Sequence, residues 1–145
     1  MVPVLGVTAS SLHDSFLARR GSARVHHAVD ILAARGTPVL AADDGRVLRM
    51  RSNALGGITV YALDAGERFV YYYAHLERYA ATLSEGKIVS KGEVIGYVGT
   101  TGDAPRNLPH LHFQLMKRPN SARWWDGTPI DPLPFLMLPG AKRAE

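Results

Sequence analysis

Three short stretches hold most of the residues able to do chemistry in this chain. "NLPHLHFQL" (residues 107–115) puts His110 and His112 on alternate positions, "RVHHAVDIL" (24–32) holds His26, His27 and Asp30, and "YYYAHLERY" (71–79) holds His75. Imidazoles and a carboxylate are groups that bind transition metals and move protons near neutral pH. The chain has six histidines and no cysteine, so neither a thiolate nucleophile nor a thiolate ligand is available.

Strand geometry sorts these residues. Positions two apart on a strand share a face, so His110 and His112 point one way and Leu111 and Phe113 point the other, into a core. His26 and Asp30 are four apart and also share a strand face, with Val29 and Ile31 on the opposite, apolar side. His27 would lie on the apolar side and is the poorer ligand candidate. A carboxylate at Asp30 is costly in apolar surroundings unless it is paired, and a metal would pair it. A histidine and an aspartate from this stretch plus a histidine of "HLH" suit a catalytic zinc, with the fourth position left to water. A structural zinc would want four protein ligands, and calcium or magnesium an all-oxygen shell. Iron in a two-histidine, one-carboxylate set is the other metal such residues suit, but no further feature points to oxygen chemistry. Histidines not used as ligands could transfer protons or steady an oxyanion. Alternation along "YYYAH" predicts His75 on the face of Tyr71 and Tyr73.

The elements that must position these groups read as short strands between glycine turns. "TPVLAA" and "GRVLRM" flank the turn at Asp43–Gly45. "GGITVYAL" and "RFVYYYAHL" predict a hairpin around "DAGE". "IVSKGEVIGYVG" supplies two short strands and "HLHFQLM" another. The best helix candidate is "SSLHDSFLARR". The proline-rich tail "WWDGTPIDPLPFLML" predicts extended or irregular chain. The fold class is therefore mainly β, a small antiparallel β-sheet domain. Two pieces rhyme: "RGTPVLAADDGRVLRM" and "EGKIVSKGEVIGYVG" each run glycine, apolar strand, polar turn, apolar strand. Biotin and lipoyl carriers share that rhyme but need an exposed lysine at a tight turn. "DDG" has none, and Lys91 in "SKG" is not in a carrier-like setting.

The 145 residues suffice for one domain with a real core. No apolar run is long enough to cross a membrane. The opening "MVPVLGV" lacks the basic start and cleavage site of a signal peptide, so if the protein is exported its targeting segment is expected outside this sequence. A net charge of +4 and a pI near 9.6 favour polyanions in general. There is no basic block or helix, so a nucleic-acid partner is not expected, whereas an anionic cell wall fits.

In family order, the His-x-x-x-Asp motif at 26–30, the isolated histidine of "YAHL" and the His-x-His motif at 110–112 resemble the lysostaphin-type, LytM-like zinc endopeptidases of peptidoglycan. The resemblance runs from "LHDSFLARRGSARVHHAVDI" through "GTPVLAADDGRV", "YYYAHL" and "VSKGEVIGYVGTTG" to "PHLHFQL". It implies that His26, Asp30 and His112 bind one Zn2+ per chain. It implies that His110 is the catalytic histidine beside the metal and His75 its partner, with His110 taken as the base. It also implies a β-sheet domain with a groove over the metal, related to the barrel-sandwich hybrid (duplicated hybrid motif). The catalytic domain is expected over 12–138, with extensions at 1–11 and 139–145.

Peptidoglycan peptides would be the substrate, the compartment extracytoplasmic, and a partner domain or regulator could lie outside this chain. "TTGDAPRNL", "NALGG" and "NSARWWDGTP" are expected as groove walls, and Trp124 and Trp125 as caps on the core. Two positions depart from the family pattern, with Ala28 where glycine is usual and Leu17 where a small residue, often glycine, is more usual. If the backbone at Ala28 needs positive φ or close approach, the metal loop would shift. The alternative is a non-catalytic domain of the same fold that binds cell wall or activates a hydrolase.

Overall fold

The computed structural model describes residues 1–12, 19–20, 24–25, 27–120 and 123–137. The strands, in chain order, are β1 (Arg19–Arg20), β2 (Arg24–Val25), β3 (Val29–Leu32), β4 (Pro38–Leu40), β5 (Gly45–Asn53), β6 (Gly57–Asp64), β7 (Phe69–Tyr79), β8 (Ile88–Val89), β9 (Val94–Val98), β10 (His110–Lys117) and β11 (Thr128–Ile130). One short helix, α1 (Pro132–Leu136), follows. β1 and β2 pair with each other, and the other nine strands form one antiparallel sheet. The expected mainly-β domain is therefore present.

The longest strands make the floor. β5, β6 and β7 form a meander, and β10 lies against β7. On its other edge β10 pairs first with β3 and then with β11. The two rhyming pieces interlock rather than fold separately. β4 pairs with β9, and β5 with β8. Their turns are tied as well, since the Lys91 N–H donates to Asp44 Oδ1 at 2.7 Å and the Gly92 N–H to the Ala41 carbonyl at 2.9 Å. Pro3–Leu5, inside the segment expected as an extension, also joins the fold. Val4 bridges Val39 and is buried, and the Leu40 N–H donates to the Pro3 carbonyl.

One face of the sheet carries the core. Val29 and Ile31 of β3, Val60 and Ala62 of β6, Tyr71 and Tyr73 of β7, and Leu111, Phe113 and Leu115 of β10 converge there. The alternation predicted for β10 holds: Leu111 and Phe113 are fully buried, while His112 and Gln114 stay part-exposed on the other face. Phe113 packs against both Tyr71 and Tyr73, with ring centroids at 6.2 and 5.3 Å. The tyrosine hydroxyls are satisfied at the edge of this core. Tyr73 Oη accepts from the Ala42 N–H, and Tyr71 Oη donates to Asp43 Oδ2.

The tail differs from its expectation. β11 and α1 are regular, because Pro132 sits in the first helical turn, where its missing N–H costs nothing, and Asp131 caps the helix by accepting from the Leu133 N–H. Trp125 is 45% exposed and does not cap the core; the Arg123 guanidinium lies over its ring instead. The helix candidate "SSLHDSFLARR" opens with a 3-10 turn at Ala9–Ser11, and its residues 13–18 lie outside the described residues, as do Leu17 and 139–145.

Phe113→Ala should lower unfolding stability by about 3–5 kcal/mol, because the site is wedged between two rings and cannot collapse. Denaturant unfolding measures this, and a loss below about 1 kcal/mol would contradict the packing described.

Candidate active site

The two registers of β10 build the site. His112 lies opposite Asp30 of β3 on one side and Ala74 of β7 on the other. Directly opposed residues on one face have neighbouring side chains. Asp30 Oδ1 accordingly lies 3.4 Å from His112 Nδ1 and 3.8 Å from His110 Nε2.

Each histidine has one ring nitrogen committed, which settles its tautomer. His112 Nε2–H donates to Gln114 Oε1 at 2.8 Å, so Nδ1 faces the carboxylate. His110 Nδ1–H donates to the Leu108 carbonyl at 2.9 Å, and His75 Nδ1–H to the Thr101 carbonyl at 2.7 Å. The Nε2 atoms of His110 and His75 are thereby free of those bonds and face acidic groups, Asp30 and Asp103, each at 3.8 Å. The His75 ring meets His110 and His112 edge-on, at 4.9 and 5.7 Å between centroids. Second partners that hold one nitrogen and aim the other are the usual support of metal-binding and proton-transferring histidines.

His75 reaches this cluster in an unexpected way. Strict alternation would send it into the core with Tyr71 and Tyr73. It does not go there, because β7 is bulged: Ile58 of β6 opposes Leu76, but Val60 opposes Tyr73, so one residue too many stands on β7. His75 takes φ +64°, a left-handed conformation uncommon for any residue with a side chain, and its N–H donates to the Gly56 carbonyl at 2.7 Å. The extra residue turns its imidazole to the cleft side, beside Ala74 and Tyr72, and returns Leu76 to the core. His75 is 6% exposed, and its burial, partly countered by the bond to Thr101, lowers its pKa below the ordinary 6.5.

Together these groups line a cleft of about 420 Å³. Leu55 and Gly56 of "NALGG" and Asp103 to Pro105 and Leu108 of "TTGDAPRNL" form its walls, as expected. No residue of "NSARWWDGTP" whose side chain is described lines it; residues 121–122 and the Trp124 side chain lie outside those described. His26, the third expected ligand, is also outside the described residues. Among the described residues no set of three metal donors is gathered, but Asp30 and His112 meet as a pair. Their separation suits a shared cation. A tetrahedral zinc with ligands at about 2.0–2.1 Å holds any two of them about 3.3 Å apart. Two electron-rich atoms turned toward each other at this distance favour a cation between them.

His27, the competing ligand candidate, is half-buried ahead of β3 and does not line the cleft. It carries the positive φ of this loop, +56°, whereas Ala28 is not among the positive-φ residues and is fully buried without being a glycine. The positive-φ reason for wanting glycine at position 28 therefore falls away. Sequence reasoning missed three residues here. Gln114 could have been found, since it continues the alternation of His110 and His112. Tyr72, edge-on to His112 with ring centroids 6.0 Å apart, and Asp103 carry no such signal. Burial raises the Tyr72 pKa, which keeps its hydroxyl protonated beside the site.

A sequence model described as peptidase family M23 matches residues 24–132. The chain belongs to peptidase family M23. Among M23-like relatives, it is 34% identical over 121 residues to the L-Ala--D-Glu endopeptidase of Bacillus subtilis, covering 80% of this chain and 36% of that protein. It is 34% identical over 116 residues to the glycyl-glycine endopeptidase ALE-1 of Staphylococcus capitis, covering 79% of this chain and 30% of that protein. The chain thus spans about a third of the length of these curated relatives. The catalytic domain of the antimicrobial peptidase lysostaphin from Staphylococcus simulans superposes with a TM-score of 0.71 at 31% identity, covering 83% of this chain and 86% of that one. The fold of this M23 chain is accordingly of the lysostaphin type.

The lowered pKa of His75 has a signed consequence. An unfolded histidine takes up a proton near pH 6.5 while the folded one resists it, so this contribution to stability is complete above that pH and is lost as pH falls through it. Urea unfolding from about pH 7.5 to about pH 5 should show a steeper loss for the wild type than for His75→Asn, which tolerates positive φ. Equal slopes would contradict the buried, neutral imidazole.

Proposed function

We propose that this chain is a zinc metalloendopeptidase domain that hydrolyses amide bonds in peptidoglycan cross-link or stem peptides. The observation that carries the reading is the facing pair of Asp30 Oδ1 and His112 Nδ1 at 3.4 Å, with two further imidazoles beside it. Asp30 and His112 would hold the metal, and His26 would complete the ligand set. Family membership and the likeness to the lysostaphin catalytic domain support the same reading. Bound there, zinc supplies Lewis-acid polarisation of the amide carbonyl and makes water more acidic.

The chain's own groups divide the remaining work. Gln114 fixes the His112 ring so that Nδ1 faces Asp30. His110 and His75 each offer Nε2 to the cleft because Nδ1–H is committed to a carbonyl. His110 lies nearer Asp30 and is assigned as the base that takes a proton from the attacking water. Protonated, the same Nε2 can pass that proton to the leaving amine. His75 is its partner: its neutral ring, with Nδ1–H held by the Thr101 carbonyl, offers an unprotonated Nε2 that can accept a hydrogen bond from the attacking water and shuttle its proton. The half-enclosed cleft keeps substrate against these groups, and Leu55 and Leu108 give its walls an apolar surface.

The catalytic unit is proposed over 12–138, with Pro3–Leu5 of the preceding segment packed onto it through the Val4–Val39 bridge. The interlocked rhyming pieces support kinship with the barrel-sandwich hybrid folds. The substrate class places the enzyme outside the cytoplasm, in the periplasm, envelope or medium. No helix among the described residues is long and apolar enough to cross a membrane. Relatives about three times as long leave room for a partner domain or regulator beyond this sequence.

His112→Ala should abolish both bound zinc and release of peptides from purified peptidoglycan. His110→Ala and His75→Ala should keep zinc and lose about 10²–10⁴-fold in rate. Metal analysis and a soluble-peptide assay check this together. Retained zinc and full hydrolysis in His112→Ala would overturn the assignment.

A further inference from the structure

The bulge that delivers His75 leaves a gap in the ladder between β6 and β7. Ile58 and Leu76 stand opposite each other, and one residue is unmatched beside them. The Ile58 N–H and the Leu76 carbonyl both bond the hydroxyl of Thr101. Thr101 Oγ1 accepts from the Ile58 N–H at 3.0 Å and donates to the Leu76 carbonyl at 2.7 Å. The side chain of a residue in another loop thus serves as a rung of the sheet, in the place a bridging water would take. The main-chain carbonyl of the same residue receives His75 Nδ1–H.

Packing around Thr101 admits no slack. A Cβ on Gly57 would lie 2.3 Å from Thr101 Oγ1, and one on Gly102 would lie 2.4 Å from both the Gly57 nitrogen and the Leu55 carbonyl oxygen. Both glycines have positive φ, +68° and +77°, and both are needed for the two loops to approach. The Asp103 N–H closes the contact by donating to the Leu55 carbonyl at 3.0 Å.

We infer that Thr101 is the positioning residue of His75: its hydroxyl props the bulge open and its carbonyl fixes the imidazole with Nε2 toward the cleft. The hydroxyl is the decisive group. Without it, a part-buried donor and a part-buried acceptor lose this partner, and β6 and β7 would have to draw together to replace it, which shifts His75. The kinetic consequence rests on the hydrolytic reading above; the placement of the proton does not.

The test compares Thr101→Val, which keeps the shape and removes the hydroxyl, with Thr101→Ser, which keeps the hydroxyl. Nitrogen-edited NMR of the histidine rings should show a slowly exchanging His75 Nδ1–H in the wild type and in Thr101→Ser, and its loss in Thr101→Val. On purified peptidoglycan, Thr101→Val should lower kcat by about 10–100-fold with KM within about threefold and zinc content unchanged, and Thr101→Ser should restore kcat to within about threefold. A Thr101→Val variant with wild-type kcat and an intact His75 Nδ1–H signal would overturn the inference. So would a wild type whose His75 carries its proton on Nε2. If the wild type hydrolyses no peptide, the enzymatic reading fails while the NMR comparison still decides the role of Thr101. If Thr101→Val does not fold, Thr101→Ser decides, and absence of its Nδ1–H signal counts against the inference.

Discussion

The register of β10 against β3 is the constraint on which the site depends. Pairing His112 with Asp30 puts a carboxylate and an imidazole side by side on the cleft face. A slip of one residue would turn His112 into the core and Leu111 out of it. The core forbids that slip. Leu111, Phe113 and Leu115 of β10 are buried on the opposite face with Val29 and Ile31 of β3, and the slip would put His110, His112 and Gln114 in the place of the three β10 residues. At about 1.5–3 kcal/mol for each large apolar side chain returned to water, the aligned register is favoured over its neighbour by more than any single interaction in the cleft could offset. Apolar residues on the far face of the sheet therefore set the distance between the facing Asp30 and His112 side chains.

The second constraint works against regularity. A non-glycine residue held at positive φ costs roughly 1–3 kcal/mol and persists only where its surroundings determine it. At His75 they do: the Gly56 carbonyl holds its N–H, the Thr101 carbonyl holds its ring, and the Thr101 hydroxyl closes the ladder beside it. The loops that do this also carry the cleft walls, Leu55 on one and Asp103 on the other. The cleft walls and the His75 imidazole are thus parts of one interlocked unit. A change in either loop reaches the imidazole through two or three hydrogen bonds rather than through a long path.

Much of this was legible in the sequence because it follows periodic rules. Alternation in "HLHFQL" identified which residues of β10 enter the core and which face the site. The spacing in "HHAVD" put Asp30 on the open face of β3, and the glycine turns separated the strands. The bulge at His75 was not legible. "YYYAHL" alternates without interruption and contains no glycine, and the cause of the bulge lies in loops far along the chain. The same limit applies to the cross-pairing of β4 with β9, which the rhyme suggested without specifying partners. It applies to Trp125 too, whose size argued for burial, whereas the structure leaves it stacked beneath Arg123 at the surface. In the tail, proline content argued for irregular chain, but a proline in the first turn of a capped helix is compatible with α1.

The most direct measurement is a crystal structure of the zinc-loaded protein with anomalous scattering recorded at the zinc edge. One zinc peak is expected in the cleft, about 2.0–2.2 Å from an Asp30 carboxylate oxygen and from His112 Nδ1, with His26 as the second imidazole and the Nε2 atoms of His75 and His110 outside the ligand shell. A peak bound through His112 Nε2, a shell in which His110 replaces His112, or zinc at any other place on the protein would contradict the assignment.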